Sequence, residues 1–558
     1  MQSGQEIPGE LELAVEQAAR DFRFFHWHLR FGEVMGRGGF DCVLGNPPWD
    51  MLQLDPQEFF ALRLSSISTA KHMAARNRMI AALEDENPEL FTEYMLQRRG
   101  VDGTQRFVHD SGRFPLASFG RINLAPLFSE LTLKLIHDCG RAGLIVPTGI
   151  VTDSFTQYFC RHILESQKLV SLYDFRTGPG LFADIGHQRF KFSLITLGSA
   201  ESAGFTFFSL RASDIADSRR HFTLTKSDFE LLNPNTRTCP VFRSQMDAEL
   251  TKKIFRNSSV LLDDDKGNQG NPWQIRFNLM FMMNTDSHLF LDEPLADALP
   301  LYEAKMIHHF DHRWAEYDLE GSVNGLSDAT KCDFSYEPRP RYWVERAEVD
   351  RRLAAQNWKH KWLIGWRDIC RNTDYRTLIA GVIPISAVGD KFQLLLIGLK
   401  PSLAAALLGC ISSIPCDYIA RQKVGGTSLK QFSLKQIAMV PPSSFGDASL
   451  EFILSRVIEL TYTSNALKSW AEDLGYDGPP FRFDPERRAL LRAELDAFYA
   501  HLYGLSRDEL RYILDPADVM GPDYPSETFR VLKNNEFRQF GEYRTQRLVL
   551  EAWDRLFG

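Results

Sequence analysis

In the first part of the chain, short apolar runs alternate with stretches of helical spacing, and glycine turns separate many of them. Phe40 to Leu44 is apolar apart from Asp41 and follows the Gly38-Gly39 turn, which predicts a short buried strand. Gly143 to Pro147, Leu169 to Phe175 and Phe190 to Leu197 predict three more, and Phe205 to Arg211 a strand that closes the region. Leu11 to Phe25 is spaced as a helix with Glu, Gln and Arg outside. Gly120 to Gly140 predicts an amphipathic helix with Leu124, Leu127, Phe128, Leu131, Leu133 and Ile136 on its apolar side. The Ala, Leu, Met, Arg and Glu content of about 56–100 predicts an inserted helical arm. Such alternation implies an open α/β sheet over 1–215, with a ligand site at the carboxyl ends of its strands. From 216 to 445 the pattern is irregular, with polar loops rich in Asn, Asp, Arg, Trp and Pro. From 446 to 558 it is strongly helical, Glu486 to Tyr503 being the longest amphipathic helix.

With 558 residues, 44% of them hydrophobic, the chain can form two or three packed domains. No run approaches the roughly 20 apolar residues of a membrane helix, and the polar start does not read as a secretory signal. The eight cysteines form no C-x-x-C pair, so they read as reduced, mostly buried thiols of a cytoplasmic protein without a zinc site. The net charge is −8, but Lys331 to Phe445 holds 17 Lys and Arg against 9 Asp and Glu, leaving the remainder strongly acidic. A local basic segment is what phosphate contact requires.

The predicted Phe40 to Leu44 strand runs through Gly45 into Asn46-Pro47-Pro48-Trp49. Two prolines stiffen this loop and leave carbonyls unpaired. Asn46 Oδ1 and the Pro47 carbonyl can each accept an N–H of a flat, weakly nucleophilic amine, while Trp49 stacks on the ring that carries it.

This string resembles the catalytic motif of the adenine-N6 DNA methyltransferases, in the subgroup linked to type II and IIG restriction–modification and phage-defence systems. The resemblance extends over nearly the whole chain. It implies a partial Rossmann-like methyltransferase sheet, then a mixed α+β target-recognition domain and a helical C-terminal unit. It also implies S-adenosylmethionine as methyl donor and a target adenine flipped out of double-stranded DNA. Asn46, Pro47, Pro48 and Trp49 take the catalytic positions. Trp49 and Phe182, with Phe190 behind it, stack on the base. Asp41, Asn123 and Phe128 fall to the cofactor side, although Asn123 also suits a helix cap and Phe128 the core. Pro300 to Ile307 resembles the start of the recognition region, so the neighbouring His308-His309-Phe310-Asp311-His312 reads as DNA contact or packing before metal. DNA contacts are expected from Lys305, Arg367, Arg371, Arg376, Arg421, Gln422, Lys423, Gly425 and Gly426, because Arg and Gln read base edges while Lys and glycine backbone suit phosphate.

Two family features are absent from the residues before Asn46: a glycine-rich turn set between a strand and a helix, and the acidic residue that in the family follows the second strand. Arg30-Phe31 stands where related sequences place an acid before Phe, and an arginine cannot accept a hydrogen bond. The expectation is therefore the C-terminal part of a methylase that needs an N-terminal half or partner subunit, with room for a nuclease partner. The alternative is a non-catalytic DNA-recognition or specificity subunit.

Overall fold

A computed structural model describes residues 9–23, 25–70, 73–178, 181, 190–424 and 427–558. The chain is mixed α/β, about half helical, with several sheets. It divides into two compact units, Met1–Phe205 and Thr206–Gly558. The expected boundary near 445 is not a division of this kind, because the C-terminal helices pack into the second unit.

The first unit is built on β1 (Phe40–Gly45), β2 (Ile136–Pro147), β3 (Leu169–Arg176) and β4 (Lys191–Leu197), in the order β1-β2-β4-β3. β1 pairs parallel with β2, and β4 runs antiparallel to both β2 and β3. Leu144, Val146, Leu172, Ile195 and Leu197 are buried. The turn before β1 requires glycine. Gly39 has φ +127°, and a Cβ there would collide with the Leu135 carbonyl.

β2 is longer than expected, and the helix before it shorter. The helix stops at Leu135, because Ile136 is extended and pairs with Phe40. Its buried face also differs from the predicted apolar side, since Ser129, Glu130 and Thr132 are inside. Glu130 is tolerated because Oε2 accepts the amides of Leu116 (3.1 Å) and Ala117 (2.9 Å), while Lys134 reaches Oε1 (3.0 Å).

The helical arm runs further than 100. Pro56–Ala61, Ser65–Ser68, Met73–Glu86 and Pro88–Asp110 follow one another between β1 and β2. Asp55 and Asn87 cap the first and last of these, each followed by proline at the first helical position. Phe59, Phe60, Ile67, Ile80, Leu83 and Tyr94 give the arm a core of its own.

The division falls within β5 (Ala203–Ser209), and β6 (Phe222–Leu224) neighbours that strand. The centre of the second unit is an antiparallel sheet of β7 (Ile275–Asn278), β8 (Trp362–Arg367), β9 (Ala380–Pro384) and β10 (Phe392–Ile397), in the order β9-β8-β10-β7. β8 and β10 are almost wholly buried, which explains their largely apolar sequences, broken in β10 by the buried Gln393. Pro401–Ser412 and Ile414–Lys423, bent by 63° at Ser413, are buried helices of this unit. Among the described residues no single helix is long and apolar enough to cross a membrane.

Candidate functional site

Asn46 lies immediately after β1, at the carboxyl end of the parallel β1–β2 pair. Open α/β sheets bind ligands at that end. Asn46 is exposed, and its side-chain amide makes no hydrogen bond among the described residues. Pro47 is half-buried and Pro48 exposed. Trp49 is fixed across the neighbouring strand, its Nε1 donating to the Ile145 carbonyl at 3.2 Å, while the ring stays 38% exposed.

Asn123 holds the far side of the loop. Its Nδ2 donates to the Trp49 carbonyl at 2.7 Å, and its Oδ1 caps the 124–135 helix by accepting the Ala125 amide at 2.9 Å. Backbone bonds flank it, Leu124 N to Asp50 O at 3.0 Å and Leu52 N to Ile122 O at 2.9 Å. Asn123→Ala should therefore remove a cap and a tether together and destabilise the protein by about 1–2 kcal/mol. Chemical denaturation checks this; an unchanged midpoint would show that neither bond matters.

The residues expected on the cofactor side do not meet in a pocket. Asp41 is at the opposite end of β1 from Asn46, roughly 16 Å away along an extended strand. His137 Nε2 lies 2.9 Å from its Oδ1, and that hydrogen bond holds the Asp41 carboxyl below its usual range. The Asn123 amide is engaged on both sides. Phe128 is 42% exposed, correcting its assignment to the core, since the helix buries Ser129 and Glu130 beside it instead. Dispersed in this way, the three residues do not form a site that fits S-adenosylmethionine. Phe182 lies outside the described residues; Phe190 is 62% exposed. A cluster missed in the sequence braces the end of β2, where Thr148 Oγ1 donates to Asp174 Oδ1 (2.5 Å) beside Ser193 Oγ (3.0 Å).

In the second unit the two recognition strings lie side by side. Cys370 N bonds the Thr427 carbonyl at 3.1 Å, and Leu429 N the Asp368 carbonyl at 2.7 Å. The side chains correct several expected DNA contacts. Arg421 is 5% exposed, and all five of its N–H groups are used within the protein. Nε donates to Asp417 (3.1 Å), Nη1 to the carbonyls of Asn372 and Thr528, and Nη2 to those of Asp374 and Tyr375. Arg376 is buried against the Ser412 carbonyl (2.7 Å) and Asp417 (3.4 Å). Gln422 is buried. Lys423 Nζ donates to the Leu232 carbonyl (2.5 Å) and Asn233 Oδ1 (2.6 Å). Buried, internally bonded cations cannot also read a duplex. Lys305 and Arg371 are exposed and Arg367 is half-buried. Gly425 and Gly426 lie outside the described residues.

The histidine string is packed. His312 Nε2 lies 3.0 Å from Ser464 Oγ, and Asp311 pairs with Lys331 at 2.7 Å. Arg313, unremarked in the sequence, donates to the carbonyls of Lys331, Asp333, Tyr336 and Thr463.

No family model matches the chain, and no curated protein matches it. Among solved structures it is similar to the type IIG restriction endonuclease BpuSI, at 12% identity over 72% of this chain and 52% of that one, with a TM-score of 0.27. It is also similar to the type IIL restriction–modification enzyme MmeI in complex with DNA (10% identity, 80% and 55% covered, TM-score 0.36). The DrdV–DNA complex gives 10% identity, 85% and 45% coverage, and a TM-score of 0.30. The chain thus spans about half the length of each of these proteins.

Proposed function

We propose that this chain is the base-presenting and DNA-reading part of a site-specific DNA adenine-N6 methyltransferase of the restriction–modification or defence kind. The observation that carries this reading is the Asn46-Pro47-Pro48-Trp49 loop at the carboxyl end of β1, with an unengaged amide and a ring pinned by its own N–H. The target adenine is flipped from the duplex, and its amine donates to Asn46 Oδ1 and the Pro47 carbonyl while Trp49 stacks on the ring. Drawing both N–H groups toward acceptors turns the nitrogen lone pair out of conjugation and toward the methyl donor. A bound S-adenosylmethionine would supply the methyl group, and the part of this chain would be to hold the amine that receives it.

The donor of such a reaction is S-adenosylmethionine, and its holder would be strands added beside β1. That strand stands at the end of the sheet order, with Cys42 exposed and Leu44 79% exposed. An apolar edge of this kind invites pairing. A second reading, a recognition subunit without chemistry of its own, is favoured by the failure of Asp41, Asn123 and Phe128 to converge. The test is S-adenosylmethionine calorimetry with a labelled-methyl transfer assay on duplex DNA. The chain alone should give no stoichiometric isotherm and no transfer, and a polypeptide carrying the glycine-rich turn should restore both. A tight isotherm without any partner would overturn the split. Restored cofactor binding without transfer would favour the recognition subunit.

A further inference from the structure

The second unit contains a cavity of about 240 Å³, room for a small solute as well as water. Its polar side is formed by His308, His309, Arg376 and, from the 485–502 helix, Arg492 and Asp496. The helices Arg530–Phe540 and Arg544–Phe557 add Phe540 and Leu548 as apolar cover and also polar groups, among them Glu536, whose carboxylate is already met by the Thr545 amide and hydroxyl at 2.7 and 2.5 Å.

Two polar groups in its wall are incompletely met, and they are complementary. His309 is 4% exposed, yet neither ring nitrogen has a hydrogen-bond partner among the described residues. Leaving such a group unmet in a folded interior costs about 1–3 kcal/mol. Arg492 donates from Nε to the Arg488 carbonyl at 3.3 Å and forms no ion pair among the described residues. The other cations of the wall differ, since Arg376 faces Asp417 and Arg544 pairs with Glu486 at 2.5 Å. Burial, with Arg367, Arg492 and Arg376 around it, pushes His308 down to about 3, and burial drives His309 well below its ordinary value. Both rings are neutral at physiological pH, so each offers one N–H and one lone pair. Asp496, raised to about 6 by burial, accepts the Ile414 amide at 2.7 Å and adds an acceptor to the same wall.

We propose that this cavity binds a phosphate group, with Arg492 supplying the charge and His309 both a donor and an acceptor. A carboxylate satisfies only the donors. A phosphate carrying a proton satisfies Arg492 and the imidazole N–H with its oxygens, and the imidazole lone pair or Asp496 with its hydroxyl. The site is independent of the methyl-transfer reading, because none of its residues belongs to the Asn46 loop. Inorganic phosphate and a phosphate monoester carry such a proton, whereas the diester of a nucleic-acid backbone has no hydroxyl to give, so the ligand is a free phosphate or a monoester.

The test uses the full chain, with melting temperature and calorimetry followed in inorganic phosphate against chloride at equal ionic strength. Phosphate should raise the melting temperature saturably. Arg492→Gln should weaken binding by about tenfold or more, the loss of one charge-assisted contact. His309→Leu separates ligand from packing. It should abolish the phosphate response while melting in chloride at or above the wild-type temperature, since an unmet buried ring is replaced by an apolar one. AMP, a monoester, should compete with inorganic phosphate and bind equally with and without saturating duplex, whereas duplex DNA that displaces phosphate would overturn the assignment to a proton-carrying phosphate. No effect of phosphate beyond chloride, or wild-type binding by both variants, would overturn it.

Discussion

Replacing Asn46 with alanine is expected to lower methyl transfer by the partner-completed enzyme by about 10²–10³-fold, the usual effect of deleting one positioned group that stabilises developing charge. Duplex affinity and its salt dependence should stay as they are. The separation is possible because the Asn46 amide is exposed and bonded to nothing among the described residues, so its removal leaves the fold unchanged. Trp49 remains held by Ile145 and Asn123, and the loop keeps its course. Asn46→Asp retains an acceptor in the same place and should lose less. A labelled-methyl assay beside a binding titration reads both quantities, and wild-type transfer by the alanine variant would sink the catalytic assignment.

Arg421→Ala should act on stability. The substitution leaves four carbonyls without their donor and removes one of two cations that face Asp417, itself fully buried. Asp417 keeps the amides of Thr377 and Leu378 at 2.8 and 2.6 Å, but half of its charge compensation is gone. Breaking a buried pair from one side costs about 3–5 kcal/mol, a large share of the 5–15 kcal/mol that holds a typical domain. The urea midpoint of the second unit should fall accordingly, and segment 371–376 should become the first site of proteolysis. A variant with a wild-type midpoint and weakened DNA binding would return Arg421 to the DNA face.

The strands around the site were legible because each is a short apolar run bounded by glycine or polar residues, and β1, β3 and β4 fall within a residue or two of expectation. The first half of β2 was hidden, since Ile136 fits both the helical spacing before it and the strand it begins. Glu130 was unreadable as an interior residue, because the amides that satisfy it come from a separate turn. The recognition strings failed differently. Composition counts cations without saying where they point, and Arg376, Arg421 and Lys331 of the basic segment are inside. One clue was available: Asp417 and Arg421 stand four residues apart in a helix whose neighbours are mostly apolar, the spacing of an internal ion pair.

The arm between β1 and β2 leaves and rejoins the chain at a single point. Met51 bridges to Asn123, and the strands on either side are laced by Leu52–Ile122 and Leu124–Asp50 bonds. Residues 108–117 pack with Leu127 and supply the amides that satisfy Glu130, but the outer part of the arm, from Pro56 to about Thr104, hangs from this closed doorway with a core of its own. Lengthening or shortening it alters only the entropy of a loop whose ends are already joined, a cost that grows with the logarithm of its length. Evolution can rebuild that outer part freely, or an engineer shorten it, without moving the loop that begins at Asn46 or the turn that satisfies Glu130.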